Sequence, residues 1–354
     1  KTKLFLVERQ EIKARGRHYL TKQTLQHSEA KQGSFSGNSP ESGSVYCFGF
    51  NHRKTAFIKK YFPKNTFSFV STQEKAGELA KTKNKILNGE KPVSIWVWGT
   101  RIPNEIKPLV KYKSISFFYV EDGFVCSDSN NPDSDVMPFS LAVDSLANHY
   151  EGGKPSDIEN ILSSYDFARD ASVVNRAGLL REKMAVNHIG KKLFAGVRDA
   201  GNIFTGEEGT NYILVVGQPE TQASIKNSND NFELLRLAKQ EHPEDIILYK
   251  PFEAHVVSFS NDTKKYLADN KIEVISDELS TLVLFKQIKQ VYVVKSLVGL
   301  DALVRGIPVT TTGCPFYAGW GLTDDRRAIP RRSRKLTLDE LIAGTYILYL
   351  KYFD

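Results

Sequence analysis

A two-domain α/β fold with parallel sheets is predicted by three features of the sequence. Short apolar runs alternate with segments of helical composition along most of the chain, which is typical of strands covered by helices on both faces. The length of 354 residues exceeds the roughly 100 to 200 residues of a usual single domain. Residues 291–312 read as strand, helix and strand in succession, which is the repeating unit of a parallel sheet. Two α/β domains with parallel sheets are therefore expected.

The first predicted domain covers residues 1–195. Apolar segments predict its strands at residues 4–7, 45–50, 95–98 and 116–120. Helical composition marks residues 74–87, whereas polar and Gly- or Asn-rich composition predicts loops at residues 31–44 and 127–135. Residues 155–192 are predicted to be mostly helical, with Ser156 as the N-cap and Glu159 completing a capping box.

The second predicted domain covers residues 196–336, and residues 337–354 form a separate C-terminal segment. Strands are predicted at residues 212–216, 245–249, 272–275, 291–294 and 308–312, and helices at residues 231–240, 279–288 and 296–306. In the C-terminal segment, Thr337 and Glu340 predict a capping box. A helix is expected to run from there to residue 352, with Leu341 and Tyr346 on one apolar face.

Composition and charge narrow the classes of function. No apolar run approaches the ~20 residues that cross a bilayer, and no signal peptide opens the chain, so a cytoplasmic location is expected. The three cysteines are widely spaced and indicate neither a disulfide framework nor a zinc site. The net charge of +7 and a basic cluster at residues 326–335 suit an anionic substrate or a membrane surface, and equally a solvated face. Nucleic acid is not expected, because no recognisable binding module accompanies the charge.

The loop at residues 313–325 is the most distinctive segment of the chain. It places Phe316, Tyr317 and Trp320 among glycines, directly after a predicted strand. Ligands of open parallel sheets bind beyond the carboxyl ends of the strands, which is where this loop is predicted to lie. A nucleotide-type ligand is therefore expected against it.

Two motifs carry a family resemblance. The run KSLVGLDALVRG at residues 295–306, followed by PFYAGWGLTD at residues 315–324, resembles the signature of the bacterial capsule β-Kdo glycosyltransferases. Shorter segments of the same kind occur in the expected order, namely WG at 98–99, VEDGF at 120–124, KPSDIE at 154–159, GQ at 217–218, YKP at 249–251 and LTLDEL at 336–341. The resemblance thus extends from about residue 93 to the C-terminus and leaves the first ninety residues unassigned.

The resemblance implies a GT-B-like fold of two Rossmann-type domains whose parallel sheets face a central cleft, with the last helix returning to the first domain. It implies transfer of Kdo from CMP-Kdo to a capsule or O-antigen acceptor, so the expected partners are a nucleotide-sugar donor and an anionic glycan or glycolipid. Peripheral contact with the inner membrane is a further expectation. No cofactor is expected besides the donor, and no metal, because the single phosphate of CMP needs less neutralisation than a diphosphate.

Donor-binding candidates lie in the second domain. Ser296 and Gly299 lie at a predicted helix N-terminus, which favours a phosphate, and Asp301 is a candidate for the ribose hydroxyls. The aromatic loop can wall the base or sugar and approach it closely through its glycines. The full set of donor-binding candidates is Lys250, Ser296, Gly299, Asp301, Pro315, Phe316, Tyr317, Gly319, Trp320 and Gly321. Structural roles remain open alternatives: Ser296 can cap its own helix, and at least one of the three aromatics is expected in the core.

Glu121 is the candidate that holds or deprotonates the acceptor. It follows a predicted strand of the first domain and so faces the expected cleft, where a carboxylate with a raised pKa can act as a base. Its neighbour Asp122 fits a turn residue before Gly123 equally well.

Three positions depart from the family pattern. Gln222 stands where relatives carry the Asp proposed as nucleophile, and a carboxamide cannot take that role. Phe252 and Glu253 replace a His-Pro pair, and Cys126 replaces an arginine suited to a carboxylate. Either Glu220, Glu253 and His255 have taken over the chemistry, or the chemistry differs, or the domain is inactive. The alternatives to a Kdo transferase are therefore a transferase with another donor and a non-catalytic nucleotide-sugar-binding domain of a larger synthase.

Overall fold

The computed structural model describes residues 42–89, 92–125, 139–187, 189–190, 204, 209–218, 231–252, 261–275 and 281–352. These residues form two six-stranded sheets, one built mainly from each half of the chain. The predicted strand at residues 4–7, most of the loop at 31–44 and the loop at 127–135 lie outside the described residues. Among the helices that are described, none is long and apolar enough to cross a membrane.

The first sheet is parallel except at one edge. Its strands, numbered along the chain, are β1 (Ser44–Phe48), β2 (Thr66–Val70), β3 (Val93–Trp98), β4 (Ile115–Asp122), β5 (Ser140–Asp144) and β12 (Lys351–Tyr352). They lie in the order β12-β5-β4-β3-β1-β2. β1 to β4 pair in parallel, as predicted, whereas β5 runs antiparallel to β4 and β12 antiparallel to β5. Helices α1 (His52–Tyr61) and α2 (Ala76–Asn88) connect the parallel strands.

The second sheet is parallel throughout. Its strands are β6 (Tyr212–Val216), β7 (Ile246–Lys250), β8 (Glu273–Val274), β9 (Ile288–Val293), β10 (Val309–Thr311) and β11 (Asp324–Asp325), in the order β11-β10-β9-β6-β7-β8. β6 and β9 lie in the middle; all of β6 and residues 291–293 of β9 are buried on both faces, as in buried parallel strands. Its helices are α5 (Asn231–Glu241), α6 (Asn261–Asp269), α7 (Thr281–Leu284) and α8 (Val298–Val304). The GT-B-like α/β fold class is thereby confirmed.

Two helices, α3 (Asp157–Ser164) and α4 (Ala171–Val186), lie between the sheets in sequence. Residues 155–192 were predicted to be mostly helical, and these two helices agree with that prediction where the structure describes the segment. The helix is interrupted at residues 165–170, after which Asp170 caps α4 by accepting a hydrogen bond from the Val173 N–H at 3.2 Å. Ser156 caps α3 as predicted, since its Oγ accepts from the Glu159 N–H at 3.4 Å. The expected capping box is not completed, because the Glu159 carboxylate pairs instead with arginines of the second half of the chain.

The C-terminal segment crosses back to the first sheet. The predicted capping box is present at Thr337 and Glu340 and opens α9 (Leu338–Ile342). A π-helical stretch, Ala343–Tyr349, continues it, and the helix ends there rather than at residue 352 because the next residues form β12. The Tyr349 hydroxyl donates to Asp144 Oδ2 at 3.1 Å, which ties this stretch to the end of β5. One large apolar core joins these elements to both sheets.

Candidate active site

An open cleft lies between the two halves of the molecule. Its volume is about 200 Å³, below the roughly 300 Å³ at which pockets for drug-sized ligands begin, so this part suits one sugar-sized portion of a larger ligand. The first half of the chain contributes Glu121, Asp122, His149 and Tyr150, and the second half contributes Lys295, Leu297, Pro315 and Phe316. The cleft therefore has an acidic wall and a facing wall with one lysine and an aromatic residue.

Glu121 and Asp122 are the last residues of β4, at the carboxyl end of the parallel part of the sheet. This is the edge at which open α/β sheets bind ligands. The Tyr150 hydroxyl donates to Glu121 Oε1 at the long distance of 3.4 Å. Burial raises the pKa of Tyr150, and the nearby Glu121 and Glu151 charges add to the shift, so the phenol remains protonated at neutral pH. The placement of Glu121 agrees with the sequence-based prediction, and Asp122 lines the same cleft.

A tight reversal after β5 brings His149 and Tyr150 to the cleft. Asp144 Oδ1 accepts from the backbone N–H groups of Leu146 and Ala147, both at 3.0 Å, which turns the chain back. Asn148 Nδ2 then donates to the Gly99 carbonyl at 2.7 Å and holds the turn against the end of β3. Neither lining residue was predicted from the sequence, because β5 runs opposite to β4 and strand order alone does not show that this loop reaches the site.

An aromatic stack joins the two walls at the base of the cleft. Phe316 of the aromatic loop stacks on Phe124 with ring centroids 4.7 Å apart, and the His149 ring packs edge-on against both. Phe316 is only 2% exposed, so it offers one edge to the cleft while most of its surface is core. The loop backbone at Pro315 and Phe316 is consequently fixed relative to Glu121.

Tyr317 and Trp320 are part of the core. Both side chains are completely buried. The Tyr317 hydroxyl donates to the Ser296 carbonyl, and Trp320 Nε1 donates to the Phe316 carbonyl at 2.7 Å. Gly319 and Gly321 have φ values of +85° and +79°, a backbone conformation that disfavours side chains. These four residues therefore support the loop from the core side. This agrees with the expectation that at least one aromatic residue of the loop belongs to the core.

The other donor-binding candidates are distributed around α8. Ser296 Oγ accepts from the Val298 N–H at 3.3 Å and Leu297 is the N-cap, so the serine supports the turn before α8. Asp301 is buried in α8, and Lys250 is buried at the end of β7; neither lines the cleft. Glu220, Gln222, Glu253, His255 and Cys126 lie outside the described residues, so their predicted roles stay predictions.

Replacing Gly299 by alanine is expected to destabilise the protein by about 1–3 kcal/mol, because overpacking a filled core forces side chains to move. A methyl group there would overlap the Tyr317 hydroxyl and lie 2.9 Å from Tyr317 Cζ. Gly77→Ala is the matched control, since that glycine in α2 has no neighbour within 4 Å and the change favours helix. Urea unfolding of both variants checks the prediction. A Gly299→Ala protein as stable as the Gly77→Ala protein would contradict this packing role.

Lys295 was not singled out by the sequence analysis. It follows β9 and lines the cleft opposite the acidic wall. Burial lowers the pKa of Lys295, although the electrostatic influence of Cys314 and Glu151 acts against the shift. A half-buried cation beside the aromatic loop is suited to an anionic part of a ligand.

Most of the basic cluster at residues 326–335 serves the structure. Arg326 pairs with Asp324 at 2.6 Å and Glu241 at 2.7 Å, and Arg334 donates to the Tyr165 carbonyl at 2.7 Å. Arg331 and Arg332 both bind the Glu159 carboxylate. At least four of the six basic residues thus have internal partners, although of these six only Arg332 is buried.

The buried Glu159–Arg332 pair connects α3 to the aromatic loop. The side chains are 4% and 1% exposed. Arg332 Nε and Nη2 donate to Glu159 Oε2 at 3.0 and 2.7 Å, while Nη1 donates to the Ala318 carbonyl at 2.8 Å and to the Pro315 carbonyl. One guanidinium therefore bridges the first half of the chain and the loop that lines the cleft.

The comparisons with known proteins agree with this architecture. The family described as capsule polysaccharide biosynthesis protein matches residues 183–352. The lipopolysaccharide-processing protein LpsZ of Rhizobium meliloti is 30% identical over 92% of this chain and 73% of its own length. The chain belongs to the capsule polysaccharide biosynthesis family.

Other members of the capsule polysaccharide biosynthesis family extend the likeness. The capsule polysaccharide modification protein LipA of Neisseria meningitidis serogroup A is 33% identical over 89% of this chain, and the chain spans 44% of its length. Among solved structures, the β-Kdo 2,7 transferase of Thermosulfurimonas dismutans KpsC superposes with a TM-score of 0.64 at 30% identity, over 87% of this chain and 92% of that one. The β-Kdo 2,4 transferase of the same KpsC shares the fold, with a TM-score of 0.69 at 22% identity over 88% and 92%.

Lys54, in the first turn of α1, is expected to titrate far below an ordinary lysine. Burial lowers its pKa from 10.5 to about 8; Arg101 and Arg53 add to the shift, and Asp122 and Glu121 oppose it. Because the unfolded chain keeps this proton up to higher pH, this group makes the folded state more stable as pH rises from about 8 to 10.5.

The pH dependence of amine acylation, followed by peptide mass spectrometry, measures the Lys54 titration. Lys60, exposed on the same helix, is the internal control. We expect the Lys54 rate to reach its half-maximum near pH 8. A Lys54 rate that is still rising steeply at pH 10 would show that the pKa of this amine is not lowered.

Proposed function

We propose that this protein is a glycosyltransferase that transfers Kdo from CMP-Kdo to a surface-polysaccharide acceptor. The observation that carries the proposal is the shared cleft, in which an acid at the carboxyl end of β4 faces Lys295 and the aromatic loop. Membership of the capsule polysaccharide family and the likeness to a β-Kdo transferase structure support this choice of sugar.

In this proposal each wall has its own task. Lys295 faces the anionic groups of the donor, namely the phosphate of CMP or the carboxylate of Kdo, and the backbone at Pro315 and Phe316 shapes the pocket for the sugar. Glu121 accepts the proton of the attacking acceptor hydroxyl, which makes that oxygen a better nucleophile. Asp122 and the protonated Tyr150 hydroxyl lie beside it and help to orient the acceptor.

A second candidate function is transfer from a different donor on the same fold. Gln222 stands where the resemblance places the nucleophilic aspartate, and an amide cannot form the covalent sugar adduct of that mechanism. The glutamine at position 222 is equally compatible with a third function, that of a non-catalytic nucleotide-sugar-binding domain. Each of the three functions predicts a different donor result.

The test is a product assay with CMP-Kdo and an oligosaccharide acceptor that ends in an acidic sugar, analysed by mass spectrometry. We expect an acceptor mass increased by one Kdo residue, and no product with UDP-N-acetylglucosamine. Product only with another nucleotide sugar would establish the second candidate. Donor binding without any product would favour the non-catalytic domain.

A further inference from the structure

Three loops converge on the acidic wall of the cleft. β1, β3 and β4 are parallel neighbours in the first sheet, so the residues after each strand meet at one edge. Lys54 follows β1 in the first turn of α1, Arg101 follows β3, and Glu121 and Asp122 end β4. Two basic side chains from separate elements are thus brought beside the candidate base.

Lys54 is held in place without an ion-pair partner. Its ammonium group lies 3.8 Å from the centroid of the Trp98 ring, a cation–π contact that fixes the side chain. The residue is half-buried, yet within the described part of the chain its ammonium forms no hydrogen bond or ion pair. Glu121 and Asp122 attract it over a longer distance, while Arg53 and Arg101 repel it.

Arg101 adds a second available cation. Its side chain is exposed and forms no hydrogen bond or ion pair with any residue that the structure describes. It follows β3 at the sheet edge where β1 and β4 also end, and its charge influences those of both Lys54 and the cleft residue Tyr150. Like charges held together with part of their hydration removed are stabilised by an anion that binds both.

We propose that Lys54 and Arg101 form an anion subsite on the acidic wall of the cleft, which binds the carboxylate or phosphate group of the acceptor sugar and sets its hydroxyl beside Glu121. The inference rests on the proposed function, because it assigns the acceptor to this wall. A simple counter-ion role for Lys54 predicts contact with Glu121 or Asp122 within 4.0 Å, and no such ion pair appears in the described residues. Lys54 and Arg101 also supply positive charge that the chain lacks at position 126, where Cys126 stands in place of the arginine that the family resemblance predicts.

Protection of the Lys54 amine from acylation tests the subsite. The whole protein is treated with an acetylating ester at pH 8 in the presence of free Kdo, glucose 6-phosphate or the neutral sugar N-acetylglucosamine, and Lys54 and Lys60 are quantified by peptide mass spectrometry. We expect at least one of the two anionic sugars to protect Lys54 saturably by fivefold or more. N-acetylglucosamine should not protect it, and Lys60 should react equally in all samples.

The anionic sugar that protects Lys54 shows which chemical group the subsite binds. Protection by Kdo alone assigns a carboxylate subsite, by glucose 6-phosphate alone a phosphate subsite, and by both a general oxyanion subsite. In Arg101→Gln the half-protecting concentration should rise by about tenfold, the usual loss when one charged hydrogen bond is removed. Equal protection by the neutral sugar, or none by either anion, would overturn the inference.

Two further readouts separate this inference from the proposed function. Calorimetry with CMP and the CMP-Kdo product assay are run on the same samples. CMP binding and Kdo transfer without Lys54 protection would refute the subsite and keep the transferase. Lys54 protection without use of CMP-Kdo would keep the subsite and refute the donor. In Lys54→Met, which retains the apolar stem over Trp98, the acceptor KM should rise by about tenfold with little change in kcat.

Discussion

Glu159→Gln is expected to destabilise the folded protein by about 3–5 kcal/mol, the cost of leaving a buried charge without its partner. Arg332 is 1% exposed and donates to Glu159 from two of its nitrogens. The neutral amide retains the shape of the side chain, so the loss of stability measures the removal of the charge and not a change in side-chain volume. Arg331, 34% exposed, also loses its carboxylate partner but can return to water.

The same substitution is expected to loosen the aromatic loop. Arg332 also donates to the carbonyls of Pro315 and Ala318, so a guanidinium that shifts to find water moves the loop that lines the cleft. Transfer activity should therefore fall at temperatures where the protein remains folded. Rigid placement of binding groups is what a transferase needs, since small displacements of reacting groups cost large factors in rate.

Urea unfolding followed by circular dichroism measures the stability change. Glu78→Gln is the matched control, because its pair with Lys81 is exposed on both sides and such surface pairs contribute little to stability. In a double-mutant cycle, Arg332→Met combined with Glu159→Gln should cost less than the sum of the two single changes. A Glu159→Gln protein no less stable than Glu78→Gln would contradict a structural role for the buried pair.

Glu121→Gln is expected to lower kcat of Kdo transfer by about 10²- to 10⁴-fold, the usual contribution of a general base. The amide fits the same space at the end of β4 and keeps an oxygen near the Tyr150 hydroxyl, but it cannot accept the proton of the acceptor. CMP binding should be unchanged, because Lys295 and the aromatic loop are on the facing wall.

Asp122→Asn is the comparator for the role of Glu121, since both carboxylates end the same strand and line the same cleft. Initial rates at saturating donor, with calorimetry for CMP, separate kcat from binding. We expect Asp122→Asn to lose less than about tenfold, the scale of one orienting hydrogen bond. A larger loss of kcat in Asp122→Asn than in Glu121→Gln would show that Asp122, and not Glu121, is the base.

The sequence predicted the parallel parts of the fold well. β6 was predicted residue for residue, and β3, β4 and β7 within a few residues, because buried parallel strands are continuous apolar runs. β5 was missed, although its residues are all buried. It is a short strand that pairs antiparallel with β4 on one side and with β12 on the other. The pairing with β12 joins residues more than 200 positions apart, which no local pattern encodes.

The candidate site was predicted only in part from the sequence, and the physical reason differs between the residues that were predicted and those that were missed. Residues directly after strands of the parallel sheets, such as Glu121 and Pro315, were identified because that edge binds ligands in α/β folds. His149 and Tyr150 were missed because a side-chain hydrogen bond, from Asn148 to the Gly99 carbonyl, brings them there. Tyr317 and Trp320 look like ligand-binding aromatics in the sequence, whereas burial decides that they support the loop.

Titration calorimetry with CMP tests the central claim most directly, because every role assigned to the facing wall follows from a nucleotide-sugar donor in the cleft. We expect one CMP per chain to bind to the wild type. Affinity should fall by about tenfold in Lys295→Ala, which removes one charge-assisted contact. It should remain unchanged in Lys60→Gln, since Lys60 is exposed in α1 and does not line the cleft. Absence of CMP binding to the wild type, or equal binding by the Lys295→Ala protein, would contradict a CMP-sugar donor held against Lys295 and the aromatic loop.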